Sequence, residues 1–248
     1  MRQVREEAYG QDIGQHSWVT VEELTEDILR LKLSRNSHLL DLGCGPCGPL
    51  AFILTSAGCR GSGLDLSEHA IAAGRARMAS VDAGKSLVLH AADLNQPLQF
   101  ASASFDAVIC LDVILHLRDR GNVFREVARV LRSGGRFLFT DAGVLTGAIS
   151  DEEVRQRSVH GYTQFVPPGF NERTLASAGL RLLQGEDRTA SLLKNAGGRL
   201  AARIAHRTEI EQTEGTLDFE RQQAYLETVV GLSERGTLSR MMYLTELA

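Results

Sequence analysis

The ten residues LLDLGCGPCG (Leu39–Gly48) place an acid and three glycines directly after an apolar run. The glycines Gly43, Gly45 and Gly48 follow the spacing G-x-G-x-x-G. Glycine weakens helices and strands, but it adopts positive φ angles and lets the backbone approach a ligand closely. The stretch therefore predicts a strand, a tight turn and then a helix whose N-terminus faces a ligand.

The sequence pattern alternates between strand and helix as far as Thr140. Apolar runs predict strands at His38–Leu42, Arg60–Leu66, Ser86–Ala91, Phe105–Leu111 and Arg136–Thr140. Helical spacing and capping residues predict helices at Val21–Leu33, Pro49–Gly58, Ser67–Val81 and Arg118–Leu131. Such an alternation favours a parallel sheet with right-handed crossovers.

The chain beyond Asp141 has a different pattern. Residues 142–170 contain four glycines and a pair of prolines, which indicate an irregular connection. The elements predicted for this half are short helices at Asp151–Arg157 and Glu172–Ala178, strands at Leu180–Thr189 and Thr237–Glu246, and helical segments at Ala190–Thr213 and Leu217–Glu234. Because the helical segments interrupt the last two strands, they are interpreted as a cap over the open end of the sheet.

The composition is that of an ordinary globular chain. It has 248 residues, of which 43% are hydrophobic and 23% charged, and a formal net charge of −4. Without a dense basic run, no nucleic-acid partner is expected. The sequence shows neither a signal peptide nor an apolar stretch long enough to span a bilayer, so a cytoplasmic protein without membrane association is predicted.

The four cysteines are Cys44, Cys47, Cys59 and Cys110. The first two form a C-x-x-C pair, but no second pair or histidine cluster accompanies it. A metal site is therefore not predicted, and the cysteines are interpreted as small buried thiols.

Three acids end neighbouring predicted strands. Asp41 lies two residues before Gly43, where a dinucleotide-binding turn carries an apolar residue, and its carboxylate suits a ligand that ends in an ammonium group. Asp65 can accept both hydroxyls of a ribose, and Asp93 can accept the exocyclic amine of an adenine. Each acid also has a structural alternative, since Asp41 could cap the turn, Asp65 the next helix, and Asp93 could form an Asx-turn.

Five segments in this order resemble the class I S-adenosylmethionine-dependent methyltransferases. The segments are LLDLGCGPCG (39–48), GLDLS (63–67), AADLNQPL (91–98), SFDAVICLDVILHL (104–117) and REVARVLRSGGRFLFTD (125–141). Upstream, YGQDIGQHSWVT (9–20) is similar to the lead-in segment of the small-molecule group that contains sarcosine, dimethylglycine and phosphoethanolamine methyltransferases and natural-product tailoring enzymes. The resemblance implies an α/β fold: a Rossmann-like, seven-stranded, mostly parallel sheet with helices on both faces, a helical cap and one antiparallel strand near its edge.

The resemblance also implies a division of the chain and a set of cofactor-binding residues. Residues 1–37 would form a helical segment that covers the cofactor, 38–189 the S-adenosylmethionine-binding core, 190–236 the cap insertion and 237–248 the final strand of the core. The residues expected to bind the cofactor are Tyr9, Ser17, Trp18, Asp41, Gly43, Cys44, Gly45, Asp65, Leu66, Ala92, Asp93, Leu94, Leu111, Asp112 and His116.

Methyl transfer from a sulfonium is an in-line displacement that depends mainly on positioning, so a base is needed only if the acceptor must lose a proton. His116 is the candidate base, with His160 second, and the alternative for His116 is a packing role. If Asp112 and His116 share a helical turn, their side chains face the same way. The acceptor is expected against a wall of Tyr9, Trp18, His116, Tyr162, Phe165, Arg240 and Tyr243. Its aromatic members suit a cationic or aromatic acceptor, but they could equally be core of the cap.

The leading functional hypothesis is a methyltransferase (EC 2.1.1.-) of secondary metabolism. It would move the methyl group of S-adenosyl-L-methionine to a nitrogen, oxygen or carbon atom of a small-molecule metabolite. A homodimer through the cap is compatible with the pattern. Two alternatives remain open: an NAD-dependent oxidoreductase, and a non-catalytic partner subunit that keeps the cofactor fold.

Overall fold

A computed structural model describes residues 2–79, 87–159 and 161–248. Over these residues the chain forms one seven-stranded sheet in the order β3-β2-β1-β4-β5-β7-β6. The strands are β1 (His38–Leu42), β2 (Arg60–Asp65), β3 (Leu87–Ala91), β4 (Phe105–Leu111), β5 (Leu131–Leu145), β6 (Leu180–Asp187) and β7 (Leu238–Leu247). Strands β1 to β5 pair in parallel, whereas β7 is antiparallel to both β5 and β6. The predicted fold class, with its antiparallel strand near one edge, is confirmed.

The helices of the described residues cover both faces of this sheet. They are α1 (Arg2–Tyr9), α2 (Val21–Arg30), α3 (Gly48–Ala57), α4 (Glu68–Met78), α5 (Arg120–Val130), α6 (Asp151–Arg157), α7 (Phe170–Ser177), α8 (Thr189–Ala205), α9 (Arg207–Glu214) and α10 (Thr216–Glu234), with a short 3-10 helix at Ile114–His116. None of them combines the length and the hydropathy that a bilayer crossing requires. Helix α2 begins at a capping box between Thr20 and Glu23, as the sequence predicts.

Strand β4 shows how the sheet is held between two cores. Ala107 and Ile109 pack with residues of α2, α3 and α4 on one face. Val108 and Cys110 pack with residues of α5 on the other. Because both faces are covered, β4 consists of a nearly unbroken apolar run, which is typical of a parallel central strand.

Two predicted boundaries are wrong. Strand β5 does not stop at Thr140 but continues to Leu145, because β7 pairs with it as far as the Leu145–Leu238 pair. The helical segment predicted at Ala190–Thr213 breaks at His206 into α8 and α9. The extent of β5 depends on a contact between distant parts of the chain, which local pattern does not contain.

The N-terminal helix packs closely on the cap. A Cβ atom added at Gly198 of α8 would lie 2.9 Å from the Cα atom of Ala8 in α1, and 3.1 Å from its carbonyl oxygen. The adjacent Gly197 faces open space, with no atom within 4 Å of such a Cβ. Only one glycine of the pair is therefore required by packing.

This difference predicts opposite effects for two neighbouring substitutions. Gly197→Ala should raise the free energy of unfolding by up to about 1 kcal/mol, because alanine favours helix. Gly198→Ala should lower it by about 1–3 kcal/mol, because α1 must move away from α8. Urea denaturation of both variants measures the difference, and equal effects at the two positions would contradict the described packing of α1.

Candidate functional site

The turn after β1 has the backbone geometry that its glycines predict. Gly43 and Gly45 have φ angles of +82° and +52°. The amides of Gly43 and Cys44 both donate to the carbonyl oxygen of Leu64 in β2, at 2.8 and 2.9 Å. A Cβ atom at Gly43 would also collide with the side chain of Val113. The turn is therefore folded tightly against the end of β2, and only glycine fits its first position.

The third glycine of the motif has a different role from the one predicted. A Cβ atom at Gly48 would lie 2.5 Å from the carbonyl oxygen of Ile13 and 2.6 Å from the backbone of Gly14. Gly48 thus leaves room for the segment that precedes α2, which lies directly on the start of α3. Its φ angle is not positive, so the close approach alone requires glycine.

A cavity of about 430 Å³ opens over the carboxyl ends of β1, β2 and β4. This volume lies within the range of roughly 300–1,000 Å³ that is usual for small-molecule sites. The predicted site residues that line it are Ser17, Trp18, Asp41, Gly43, Cys44, Gly45, Asp65, Leu111, Asp112 and His116. Ala92 and Asp93 line a separate hollow of about 290 Å³. Leu94 lines neither space, because it is buried in the hydrophobic core. Leu66 is 73% exposed and belongs to neither.

Asp41 is a buried acid in the cavity wall. Burial, together with the negative charge of Asp65, raises the pKa of the Asp41 carboxyl to about 8. Within the described part of the chain no side chain donates a hydrogen bond to it. An ammonium group of a ligand would supply the missing positive partner.

The other two acids already have structural partners. Asp65 accepts the amides of Gly45 at 2.8 Å and Ser67 at 2.9 Å, so it fixes both the glycine turn and the start of α4. Asp93 accepts the backbone amide of Asn95 at 2.9 Å. This is the Asx-turn that the sequence offered as the structural alternative to ligand binding. This hydrogen bond lowers the pKa of the Asp93 carboxyl. Each carboxylate oxygen has a second lone pair, so these partners leave room for a ligand.

Asp112 lies before the 3-10 helix, so it does not share a helical turn with His116, although both residues line the cavity. One of its oxygens accepts the backbone amide of Trp18 at 2.8 Å. The other accepts the Thr140 hydroxyl at 2.8 Å and the Nε–H of Arg240 at 2.9 Å. The residue has a φ of +58°, a left-handed backbone conformation just before the 3-10 helix. Asp112 thus fixes the lead-in segment to the sheet.

His116 lies at the exposed end of the 3-10 helix and lines the cavity. Its Nδ1 atom is 3.0 Å from the carbonyl oxygen of Tyr162. Since a carbonyl oxygen only accepts, Nδ1 carries a proton in this contact, and in the neutral imidazole Nε2 then has the free lone pair. This tautomer has the form that a general base requires. His160, the second candidate, lies outside the described residues.

Five of the predicted wall residues do not line the cavity. Tyr9 is buried beneath the lead-in segment, where its hydroxyl donates to the Ser17 carbonyl at 2.9 Å. Phe165 packs in the apolar cluster of the cap. Arg240 is fully buried and pairs with Glu23 as well as with Asp112.

Tyr243 is the fourth of these residues. It stacks on Phe139 with 4.8 Å between ring centroids, within the core that contains Phe124 and Phe137. The expectation that Arg240 and Tyr243 point into the acceptor pocket is therefore corrected. Tyr162, the remaining wall candidate, is 47% exposed beside Arg118 and is also outside the cavity lining.

Several residues of the cavity lining were not predicted from the sequence. Besides His16 of the lead-in segment, they come from α6 and the cap: Arg157, Arg199, Arg203, Glu214, Gln222 and Tyr225. No local motif marks the residues of α6 and the cap, because they meet the cavity only through the packing of α6, α8, α9 and α10. The excess of arginine in Arg199–Arg207 was the available signal, and it resembles an ordinary solvated helix face.

Comparison with known proteins agrees with this geometry. A methyltransferase domain family matches residues 40–139. The sarcosine/dimethylglycine N-methyltransferase of Halorhodospira halochloris is 31% identical over 212 residues, which cover 84% of this chain and 71% of that protein. Methyltransferase GfsG of Streptomyces halstedii is 32% identical over 177 residues, which cover 71% of this chain but only 58% of that protein.

A solved structure shares the fold at low sequence identity. The phosphoethanolamine N-methyltransferase 2 of Haemonchus contortus, solved with phosphomonomethylethanolamine and S-adenosylhomocysteine, superposes with a TM-score of 0.85. Its sequence is 18% identical, and the match covers 98% of this chain and 56% of that one. The chain therefore corresponds to a little over half of that protein's length.

The buried Asp41 carboxyl predicts a pH-dependent stability of the protein without ligand. An aspartate of the unfolded chain ionises near pH 4, whereas Asp41 in the folded protein has a pKa of about 8. Its stabilising contribution is therefore complete below roughly pH 4 and is lost as the pH rises through about 8. Relative to Asp41→Asn, the wild type should lose stability in this window at up to about 1.4 kcal/mol per pH unit.

Urea denaturation of both proteins at pH steps between 4 and 8 measures this slope. A difference in the free energy of unfolding that stays constant with pH would show that Asp41 ionises like an exposed aspartate.

Proposed function

The chain belongs to the S-adenosylmethionine-dependent methyltransferases, and we propose that it transfers the methyl group of S-adenosylmethionine to a nitrogen, oxygen or carbon atom of a small-molecule acceptor. The observation that carries this proposal is the buried Asp41 carboxyl beside the glycine turn, which has no cationic partner among the described residues. A sulfonium nucleoside with a free ammonium group supplies such a partner. A pyrophosphate ligand would instead bring further negative charge to the same place.

The residues present fit the cofactor in three places. Asp41 would pair with its ammonium group, and Asp65 would accept its ribose hydroxyls with the lone pairs that Gly45 and Ser67 leave free. The hollow lined by Ala92 and Asp93 would hold the adenine. The Ser17 hydroxyl, which is buried without a hydrogen-bond partner, offers a further polar contact. When bound, the cofactor supplies an electrophilic methyl group that needs little activation.

The covering elements of the cavity support a small acceptor. The segment before α2 lies on one side through Ser17 and Trp18, and the cap contributes Gln222 and Tyr225 on another. A cavity enclosed in this way excludes water from the transfer and positions the acceptor behind the methyl carbon. On this basis residues 1–37 act as a cofactor cover and residues 190–236 as an acceptor-binding cap. The cytoplasmic location, a role in secondary metabolism and a homodimer stay predictions.

Cofactor binding tests the proposal directly. S-adenosylhomocysteine should stabilise the protein in a thermal unfolding experiment, whereas NAD should not. In calorimetric titration, Asp41→Asn should weaken S-adenosylhomocysteine binding by about tenfold to a hundredfold, since a charge-assisted hydrogen bond is lost. The matched control is Asp218→Asn, an exposed acid of α10 away from the cavity, which should bind as the wild type does. Stabilisation by NAD alone would overturn the proposal in favour of an oxidoreductase.

Methyl transfer from isotope-labelled cofactor to a panel of metabolites separates an enzyme from a non-catalytic relative. With an acceptor found in that panel, His116→Gln tests the predicted base, because glutamine can still donate to the Tyr162 carbonyl but cannot take a proton. If His116 is the base, kcat should fall by about 10²–10⁴-fold and the acid limb of the pH–rate profile should disappear. An unchanged kcat would show that positioning alone suffices.

A further inference from the structure

The side of the cavity formed by α6 and the cap contains an arginine without a negative partner. Arg157 is buried, with 3% of its surface exposed. Its Nη1 donates to the Tyr225 hydroxyl and its Nη2 to the Ala142 carbonyl, both at 2.9 Å. Both acceptors are uncharged, and the Nε–H is buried without any hydrogen-bond partner. Among the described residues no carboxylate forms an ion pair with Arg157.

A second arginine joins it through a column of aromatic rings. Arg199 lies 5.1 Å above the ring of Trp18, which stacks on Tyr225 at a centroid distance of 6.4 Å. Arg157 lies 5.2 Å from the Tyr225 ring and 5.9 Å from the Phe165 ring. Contact through the flat face holds a guanidinium in place without consuming the N–H groups at its edge. Arg199, like Arg157, forms no ion pair with a carboxylate in the described part of the chain.

Two other arginines of the cap have carboxylate partners. Arg203, which also lines the cavity, pairs with Glu214 at 3.0 Å. Arg207 pairs with Glu211 at 2.9 Å. A buried charge without a partner is costly, so Arg157 is stabilised fully only when an anion enters the cavity.

The position of Arg157 assigns this anion to the side away from the glycine turn. Its contact Ala142 belongs to β5, whereas the glycine turn follows β1, and β4 lies between these strands. The acids Asp41 and Asp65 therefore mark one end of the cavity and Arg157 the other.

We propose that Arg157 forms an oxyanion subsite for the methyl acceptor, with Arg199 beyond the two rings adding positive charge to the same cavity, so that the acceptor carries a carboxylate or phosphate group. The proposal rests on the proposed function only in identifying the bound anion as the acceptor. It replaces the cationic or aromatic acceptor expected from the sequence, because arginines of the protein already occupy the ring faces that a ligand cation would need.

Anion binding to the protein saturated with S-adenosylhomocysteine tests the subsite. Inorganic phosphate and acetate are titrated by calorimetry into the wild type, Arg157→Met and Arg199→Met. The matched control is Arg207→Met, a cap arginine that lies 5.1 Å from the Phe219 ring but outside the cavity lining. Loss of the Arg157 hydrogen-bond donors should weaken binding of at least one anion by about tenfold to a hundredfold. Arg199→Met, which removes a more distant positive charge, should weaken it less, and the control should bind as the wild type does.

The same titrations distinguish the acceptor from the carboxylate of the cofactor itself. If the variants lose affinity for S-adenosylhomocysteine while anion binding to the loaded protein is unchanged, the arginines serve the cofactor and the proposal is overturned. Equal anion binding in wild type and both variants, or none in the wild type, also overturns it. Arg199→Met keeps the test decisive if Arg157→Met does not fold.

Titration of the protein without cofactor separates this proposal from the proposed function. Arginine-dependent phosphate or acetate binding in a protein that does not bind S-adenosylhomocysteine would support the subsite and reject the methyltransferase activity. A final experiment uses labelled cofactor and measures methyl transfer to pairs of acceptors, each pair consisting of a free acid and its amide. The acid should be methylated at least tenfold faster at low concentration, and preference for the amide would count against the subsite.

Discussion

The carboxylate of Asp112 holds together the parts of the molecule that form the cavity. It accepts the backbone amide of Trp18, the hydroxyl of Thr140 and the Nε–H of Arg240. Arg240 is itself fully buried and also pairs with Glu23 of α2. Because removal of any one charge would leave the others uncompensated in a medium of low dielectric constant, the lead-in segment and strands β4, β5 and β7 keep one arrangement without a ligand.

Two charged or ionisable side chains of the cavity wall follow the opposite rule, since neither has a partner of opposite charge among the residues that the structure describes. Asp41 at the glycine turn has a raised pKa, and no cationic side chain of residues 2–79, 87–159 and 161–248 pairs with it. Arg157 at the other end has a buried donor without an acceptor. Uncompensated buried charge lowers the stability of the empty protein and is offset when ligands of opposite charge bind. The two ends therefore suit a ligand ammonium at β1 and a ligand oxyanion at β5.

The aromatic residues of the N-terminal segment and the cap also serve a purpose other than the one expected of them. Trp18 and Tyr225 stack on each other and on two guanidinium groups, so they orient arginines instead of forming an open cage for a cationic ligand. Tyr243 belongs to the aromatic core beside Phe139. Recognition of a ligand by the cap therefore depends on the charged guanidinium groups that the aromatic rings hold in position.

The sequence by itself determined the features that one short segment contains. The glycine turn, the acid before it and the acids ending β2 and β3 could be predicted, because strand ends and tight turns restrict residue types locally. Only the tertiary structure decided where Asp112 points, how far β5 extends and which arginines reach the cavity. These depend on segments far apart in the chain, such as Trp18 with Asp112 and Arg157 with Tyr225, and the energies that bring such pairs together leave no periodic trace in the sequence.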